Sequence, residues 1–290
     1  VTNVWEVFIL YGIVMGATSG LYPAYAALVS DIVHGESVGG ALGLVNTVTS
    51  LFGVIGALVA GYVATVFGYN NLFVMMFVFT VASLAPLLAL HVDETRVKRH
   101  SASALGFLDF LLRNRDLLGI CSAVFIITLG TFASLFYPDY VKATFGVGKF
   151  EVAAFDSIYF IIWTASNYPG GLLFDKVGKK VVVLGYLLMG VAWFVFPTLN
   201  QLYLVYAVYA MYSLGNSLGY FTTTLALSAV KPREKGLALG AMNTFMYVGV
   251  GMAGLIGGFL WTFLDTFISF TLAFIACTAS SVFIWLIKAK

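Results

Sequence analysis

Side chains able to do chemistry are few in this chain of 290 residues, and one run of ten stands out by its pattern, Gly171-Leu172-Leu173-Phe174-Asp175-Lys176-Val177-Gly178-Lys179-Lys180. A single carboxylate, Asp175, stands there among three lysines, Lys176, Lys179 and Lys180, at the end of an apolar stretch. The residue types fit a tight reversal between two helices. Gly171 lets a neighbouring backbone come close, Gly178 tolerates the positive φ of the turn, and Asp175 can meet the positively polarised amino end of another helix. The lysines suit the headgroups of the inner leaflet. This is the chemistry of holding and releasing, not of making bonds.

Asp156 is the best placed of the remaining acids, about five residues into its helix and so roughly 7–8 Å from the helix end at 1.5 Å per residue. It could carry a coupling proton, pair with a cationic solute, or sit against the helix's own amino terminus. Asn46 and Asn243 are amides in apolar surroundings, which need a partner on another helix or on a solute. His34, His91 and His100 all fall at the ends of apolar runs, so none serves as a proton relay at mid-membrane. Cys121 and Cys277 lie inside apolar runs and read as packing residues, without a disulfide or metal framework. The chain has no glycine-rich phosphate loop ending in Gly-Lys-Ser/Thr, no His-Glu-x-x-His and no Gly-x-Ser-x-Gly. No catalytic residue, cofactor or metal site is therefore expected.

The elements that must hold these residues are set by lipid. Hydrophobic residues make up 61% of the chain, charged residues 10%, and the mean hydropathy is +0.97. A soluble chain carries about 25% charged residues, so this one lacks the polar surface for water. A net charge of +2 gives no ground for nucleic-acid binding. Charge-free windows at 7–30, 117–138, 157–174, 236–264 and 266–287 each suit one helix. The longer windows 37–92 and 181–230 each suit two, turning at 67–71 and 197–201. The count is nine transmembrane helices, and alternating barrel strands are absent from the pattern. Thirteen of the fifteen Lys and Arg residues fall on one side of this arrangement, which fixes that side as cytoplasmic, with Val1 outside and Lys290 inside a plasma membrane. Val1 is not an initiator Met and no signal peptide precedes the first helix, so Val1 reads as a cut in a longer protein.

An internal repeat is visible. Leu42-Gly43-Leu44-Val45-Asn46-Thr47 aligns with Leu239-Gly240-Ala241-Met242-Asn243-Thr244 at an offset of 197, and Gly39 with Gly236 and Gly61 with Gly258 keep it. Helices one to three thus repeat as helices seven to nine in the same direction, a parallel duplication. The 171–180 run resembles the G-x-L-x-D-[RK]-x-G-[RK]-[RK] loop of the major facilitator superfamily. Together with the repeat and a basic central loop, the resemblance covers essentially the whole chain.

The resemblance implies an all-α polytopic membrane protein whose nine helices are helices four to twelve of a twelve-helix fold. Residues 1–92 would be a partial N-terminal half, 93–116 a cytoplasmic linker with an interfacial helix, and 117–290 a complete six-helix C-terminal half. Within the linker, Leu108, Leu111 and Leu112 share a face while Asp109 and Arg113 pair four apart, a surface helix on the inner leaflet. Gly171, Asp175, Lys176, Gly178, Lys179 and Lys180 would form a conformational latch, with Asp175 meeting the helix that begins near Ser37-Val38-Gly39. The family's cavity, lined by its first, fourth, seventh and tenth helices, brings in Tyr11, Tyr22 and Tyr25, Thr128, Thr131 and Tyr137, and Asn216, Tyr220, Thr222 and Thr223. Asn46, Asp156 and Asn243 join these as cavity candidates. The implied function is movement of a small solute between two helical halves by ion-coupled symport or uniport, with a proton as the candidate coupling ion. The protein would be a monomer in the lipid bilayer, without a nucleic-acid partner. A transporter-derived receptor or scaffold is the alternative, and a nine-helix chain that lacks part of its cavity wall is expected not to transport on its own.

Overall fold

The computed structural model describes residues 38–83 and 104–288, with Val29, Val33 and Ala85 as isolated positions. The expected first helix at 7–30, which carries Tyr11, Tyr22 and Tyr25, lies outside the described residues. Among the described residues there are eleven α-helices, two single 3₁₀ turns and no strand. The helices are α1 (Val38–Val66), α2 (Gly68–Ala82), α3 (Ala104–Arg113), α4 (Arg115–Leu129), α5 (Phe132–Phe145), α6 (Lys149–Val177), α7 (Lys180–Val195), α8 (Leu202–Gly219), α9 (Thr222–Ser228), α10 (Lys235–Phe263) and α11 (Thr266–Leu286). Among the described residues, five segments are long and apolar enough to cross a membrane: Val38–Gly56, Arg115–Phe145, Lys180–Thr198, Pro232–Phe263 and Thr266–Leu286. Helices are the form that lets apolar runs satisfy their backbone groups without water. This is an all-α integral membrane protein.

The breaks follow local chemistry. Gly68, at φ +81°, turns the chain between α1 and α2. Gly178, at φ +62°, turns it between α6 and α7, where only two residues separate the helices. Two windows expected as continuous helices are interrupted. One break falls at Gly130-Thr131 between α4 and α5, the other at Tyr220-Phe221 between α8 and α9. At both, a threonine hydroxyl donates to a carbonyl three residues back, Thr131 Oγ1 to Thr128 O at 2.6 Å and Thr222 Oγ1 to Gly219 O at 2.7 Å. Such side-chain bonds compete with the helical ladder. Helix α6 starts at Lys149, earlier than its charge-free window, because a helix end outside the hydrocarbon tolerates Lys149, Glu151 and Asp156.

Close helix packing rests on small residues. A Cβ on Gly185 of α7 would lie 2.5 Å from Gly219 N and 2.6 Å from Gly215 O, so α7 and α8 touch backbone to backbone. On α10, a Cβ at Gly257 would meet Phe132 Cβ at 2.6 Å, and one at Gly249 would be 2.9 Å from the Phe125 carbonyl of α4. Small residues at a crossing are how helices gain contact in lipid. An aromatic cluster fills the space between α5, α6, α7, α8 and α11, with Trp193, Phe155, Phe196 and Phe270 almost fully buried. Phenylalanines such as Phe73, Phe77 and Phe79 on α2 are exposed, as a surface facing lipid tails would be.

Helices α1 and α10 bear out the repeat in their bounds. Val38 to Lys235 and Val66 to Phe263 are both separations of 197 residues, and both helices are 29 residues long. The amphipathic helix α3 ends at Arg113 and carries the expected Asp109–Arg113 ion pair at 2.8 Å. Its apolar residues are divided differently from the expectation. Leu108 and Leu112 are exposed, but Leu111 is 3% exposed and belongs to the protein core.

Replacing Gly185 by valine should overpack the α7–α8 crossing and cost about 1–3 kcal/mol. Gly254, whose added Cβ would meet nothing within 4 Å among the described residues, should accept valine within about 0.5 kcal/mol. Thermal unfolding of the two variants in the same detergent checks the contrast.

Candidate functional site

The most extensive helix pair among the described residues is α1 against α6, and its tightest point is at Asp175. The first backbone N–H groups of a helix have no carbonyl one turn earlier to accept them. At the start of α1, Gly39 N donates to Asp175 Oδ1 at 2.9 Å and Gly40 N donates to Asp175 Oδ2 at 2.8 Å. One carboxylate thus satisfies two free donors at the positive end of the helix dipole. Glycine makes the approach possible. A Cβ on Gly171 would collide with the Gly39 carbonyl oxygen and lie 3.1 Å from Gly40 Cα. A Cβ on Gly43 would lie 2.5 Å from Asn167 O.

One turn further along α1, Thr47 Oγ1 accepts from Tyr168 N at 3.1 Å. Pro169 follows in α6, and with no N–H and a ring that crowds the carbonyl four residues back, it loosens the ladder there. Further along α1, Gly53 and Gly56 are exposed, and an added Cβ there would meet nothing within 4 Å among the described residues, so these two glycines take no part in the pair.

The lysines of the run are placed apart from the carboxylate contact. Lys179 Nζ donates to the Ile287 carbonyl just past the end of α11, a cation at the negative end of a helix. Lys176 and Lys180 are exposed. Gly178 N donates to Phe174 O at 2.7 Å and closes the end of α6.

A second group of residues lines α6 toward its other end. Asp156 is the eighth residue of this helix, about 10 Å from its start. Its carboxylate is exposed and accepts from Tyr137 Oη of α5 at 2.9 Å. Tyr137 itself is buried against Tyr209, with ring centroids 4.7 Å apart. Further along the same helix, Tyr159 Oη accepts from Asn216 Nδ2 at 2.9 Å. Tyr159 stacks on Trp163 at 5.5 Å, and Trp163 meets Tyr220 edge to face at 5.7 Å. The structure therefore brings Asp156, Tyr137, Asn216 and Tyr220 into one ribbon. It runs through two residues that the sequence analysis did not single out, Tyr159 and Trp163. Their spacing of three and seven residues from Asp156, one helical face, was the available signal.

The other candidates are placed elsewhere. Thr128 is 8% exposed, and its hydroxyl donates to Val124 O at 2.7 Å, while Thr131 donates to its own helix as described above. Thr128 packs against Gly249 of α10 rather than lining open space. Thr222 Oγ1 also shares a hydrogen bond with Tyr186 Oη at 2.7 Å, and Thr223 is buried. Asn46 Nδ2 and both polar side-chain atoms of Asn243 are buried without a hydrogen-bond partner among the described residues. Asn167, fully buried, uses its Nδ2 on Trp163 O at 2.7 Å and leaves Oδ1 unpaired.

Removing the Asp175 carboxylate should leave two helix donors unmet. Asp175→Ala is expected to lower stability by about 1–3 kcal/mol, and Asp175→Asn, which can still accept one bond, by less. Unfolding of both variants in detergent against the unmodified chain provides the check.

Against this geometry stand the known proteins that the chain resembles. The family model of the Major Facilitator Superfamily matches residues 1–137 and again residues 118–290. An uncharacterized MFS-type transporter of Bacillus subtilis, YuxJ, is 23% identical over 299 residues, covering 99% of this chain and 76% of its own length. Another, from Methanocaldococcus jannaschii, is 21% identical over 249 residues, 82% of this chain and 63% of its own length. YvkA of Bacillus subtilis is 28% identical over 199 residues, 65% of this chain and 44% of its own length. The chain thus spans from under half to about three quarters of these relatives. With the family model matched along its whole length and a helical membrane fold beneath it, this chain belongs to the major facilitator superfamily of membrane transporters.

Proposed function

We propose that the protein moves a small solute by alternating access, rocking a half within residues 1–92 against a half formed by residues 117–290, with 93–116 as their tether. The observation that carries this reading is the α1–α6 pair, tied at one end by Asp175 on the Gly39 and Gly40 N–H groups, over glycines that leave no room for a side chain. Asp175 acts as the latch, holding the cytoplasmic side closed while the outer side is open. Two hydrogen bonds from one carboxylate suit that task, since they can be broken together by a shift of a few ångströms and re-formed without rearranging either helix. Gly171 and Gly178 let the latch seat, Lys179 ties the α6–α7 turn to the end of α11, and Lys176 and Lys180 face the headgroups. Orientation with the 171–180 loop and Lys290 in the cytoplasm and Val1 outside follows the distribution of Lys and Arg. The protein works as a monomer in the plasma membrane.

No nucleotide-binding loop occurs in the sequence, so uphill movement would draw on an ion gradient as symport, with a proton as coupling ion, while uniport would need none. The unpaired Nδ2 of Asn46 on α1 and Oδ1 of Asn167 on α6 are the groups a polar solute could satisfy as it passes these two helices. Asn167 also reports on the latch, because it is fully buried beneath the closed end.

With Cys121 and Cys277 replaced by alanine, an Asn167→Cys variant should react slowly with a membrane-impermeant thiol reagent added to the cytoplasmic face. Adding Asp175→Asn should raise that rate at least fivefold, while reaction of Gly56→Cys from the outer face should fall. Equal rates with and without Asp175→Asn would overturn the latch.

A further inference from the structure

Three segments far apart in the sequence meet where α11 ends. Asp116, half-buried in the first turn of α4, accepts from Lys288 N through Oδ1 at 3.1 Å. The residue before Lys288, Ile287, is 7% exposed, and an added Cβ on Gly119 of α4 would lie 2.8 Å from its Cγ2. Its carbonyl, left without a helical donor at the end of α11, accepts from Lys179 Nζ. Of the three lysines in the 171–180 run, Lys179 is half-buried while Lys176 and Lys180 are exposed. It stands one residue after the positive-φ Gly178 and four after Asp175. Helix α6 is loosened at Pro169, ahead of the latch, and a glycine follows it, so the last two turns of α6 need a hold from outside to set where Asp175 stands. The start of α4 is tied in turn to the tether. Only Asn114 separates it from α3, and Asn114 Nδ2 donates to Phe110 O at 2.8 Å. A continuous set of contacts therefore leads from the tether to the latch.

We propose that Asp116 is a positioning residue for the latch. By holding the Lys288 N–H it keeps the Ile287 carbonyl facing Lys179, and Lys179 then sets the α6–α7 turn where Asp175 reaches the Gly39 and Gly40 N–H groups. An acid in the first turn of α4 also suits the dipole of its own helix, but that task needs no donor from residue 288. Because α4 is joined to α3 at Asn114, a pull on the tether reaches the latch through the same contacts. This role rests on the latch reading above for its part in transport, while its test reads the latch bonds themselves.

The test is amide hydrogen exchange at Gly39 and Gly40, resolved by mass spectrometry with single-residue fragmentation, on residues 1–290 in lipid nanodiscs. Asp175→Ala should speed exchange of the two amides at least tenfold and sets the scale. Asp116→Ala should speed it at least threefold, and Lys179→Met, which breaks the same contacts from the other side, by a similar factor. Asp116→Asn, whose amide oxygen can still accept from Lys288 N, and Lys179→Arg should stay within twofold of the unmodified chain. Adding Asp116→Ala to Asp175→Ala should change the exchange less than twofold, because both act through one contact. Gly185→Val, destabilised at another crossing, should leave both amides as they were, so that loss of stability alone does not mimic the effect. Unchanged exchange in a folded Asp116→Ala or Lys179→Met protein would overturn the proposal, and so would fully multiplied effects in the double variant. Should Asp116→Ala not fold, Lys179→Met decides it. Thiol reactivity of Asn167→Cys, read on parallel samples, separates this role from the transport reading. Protection that depends on Asp116, with a thiol rate that ignores Asp175→Asn, removes alternating access alone. A thiol rate that responds to Asp175→Asn, with exchange that ignores Asp116→Ala, removes the positioning role alone.

Discussion

The start of a helix exposes several N–H groups with no carbonyl to accept them, and packing against another helix keeps water from doing so. At α1 the donors of Gly39 and Gly40 are met by a carboxylate from 135 and 136 residues away in the sequence. That requirement organises much of what surrounds it. The two helices must come within backbone contact, so Gly39, Gly43 and Gly171 have no room for a side chain. Asp175 must leave α6 near its last turn and the chain must reverse at once, which Gly178 allows with its positive φ. One turn beyond, Thr47 accepts from Tyr168 N just before Pro169 loosens the α6 ladder. A contact made of two hydrogen bonds over glycines is strong when seated and leaves no interlocked side chains to extract when it opens.

The repeated helix gives a comparison within the same chain. Helix α10 has the length of α1 and lies in the same register of the repeat, but Gly236 and Gly240, which correspond to Gly39 and Gly43, meet nothing within 4 Å among the described residues. Its buried side instead packs through Gly249 and Gly257 on α4 and α5. The same small-residue pattern thus serves a latch surface in one copy and stands open in the other. Sequence similarity between the copies fixes the helix, and the neighbour decides what its glycines do.

Much of the fold was legible because lipid imposes simple rules: charge-free windows gave the helices, and the 197-residue offset reappears in the helix bounds. The glycine-rich start of α1 and the charged run around Asp175 both stood out by composition, and the geometry adds the two hydrogen bonds between them. Interruptions at Gly130-Thr131 and Tyr220-Phe221 were not legible, since a threonine hydroxyl bonding its own helix leaves no hydropathy signal. Leu111 was misplaced because periodicity assigns residues to a face without saying which faces the protein covers. Thr128 and Thr131 show the same limit, their hydroxyls being used locally. The Asp156 ribbon was half legible: the acid drew attention, but Tyr159 and Trp163 were lost among the 26 phenylalanines, 16 tyrosines and five tryptophans of an aromatic-rich chain.

The central claim is that Asp175 holds the end of α1 against α6. Pulsed electron spin resonance distances between nitroxides attached through Val48→Cys and Leu184→Cys, both exposed positions, would test it most directly in lipid, with Cys121 and Cys277 replaced by alanine. A narrow distance distribution that becomes longer or broader on adding Asp175→Asn is the predicted result. The same distribution with and without the carboxylate would contradict the account.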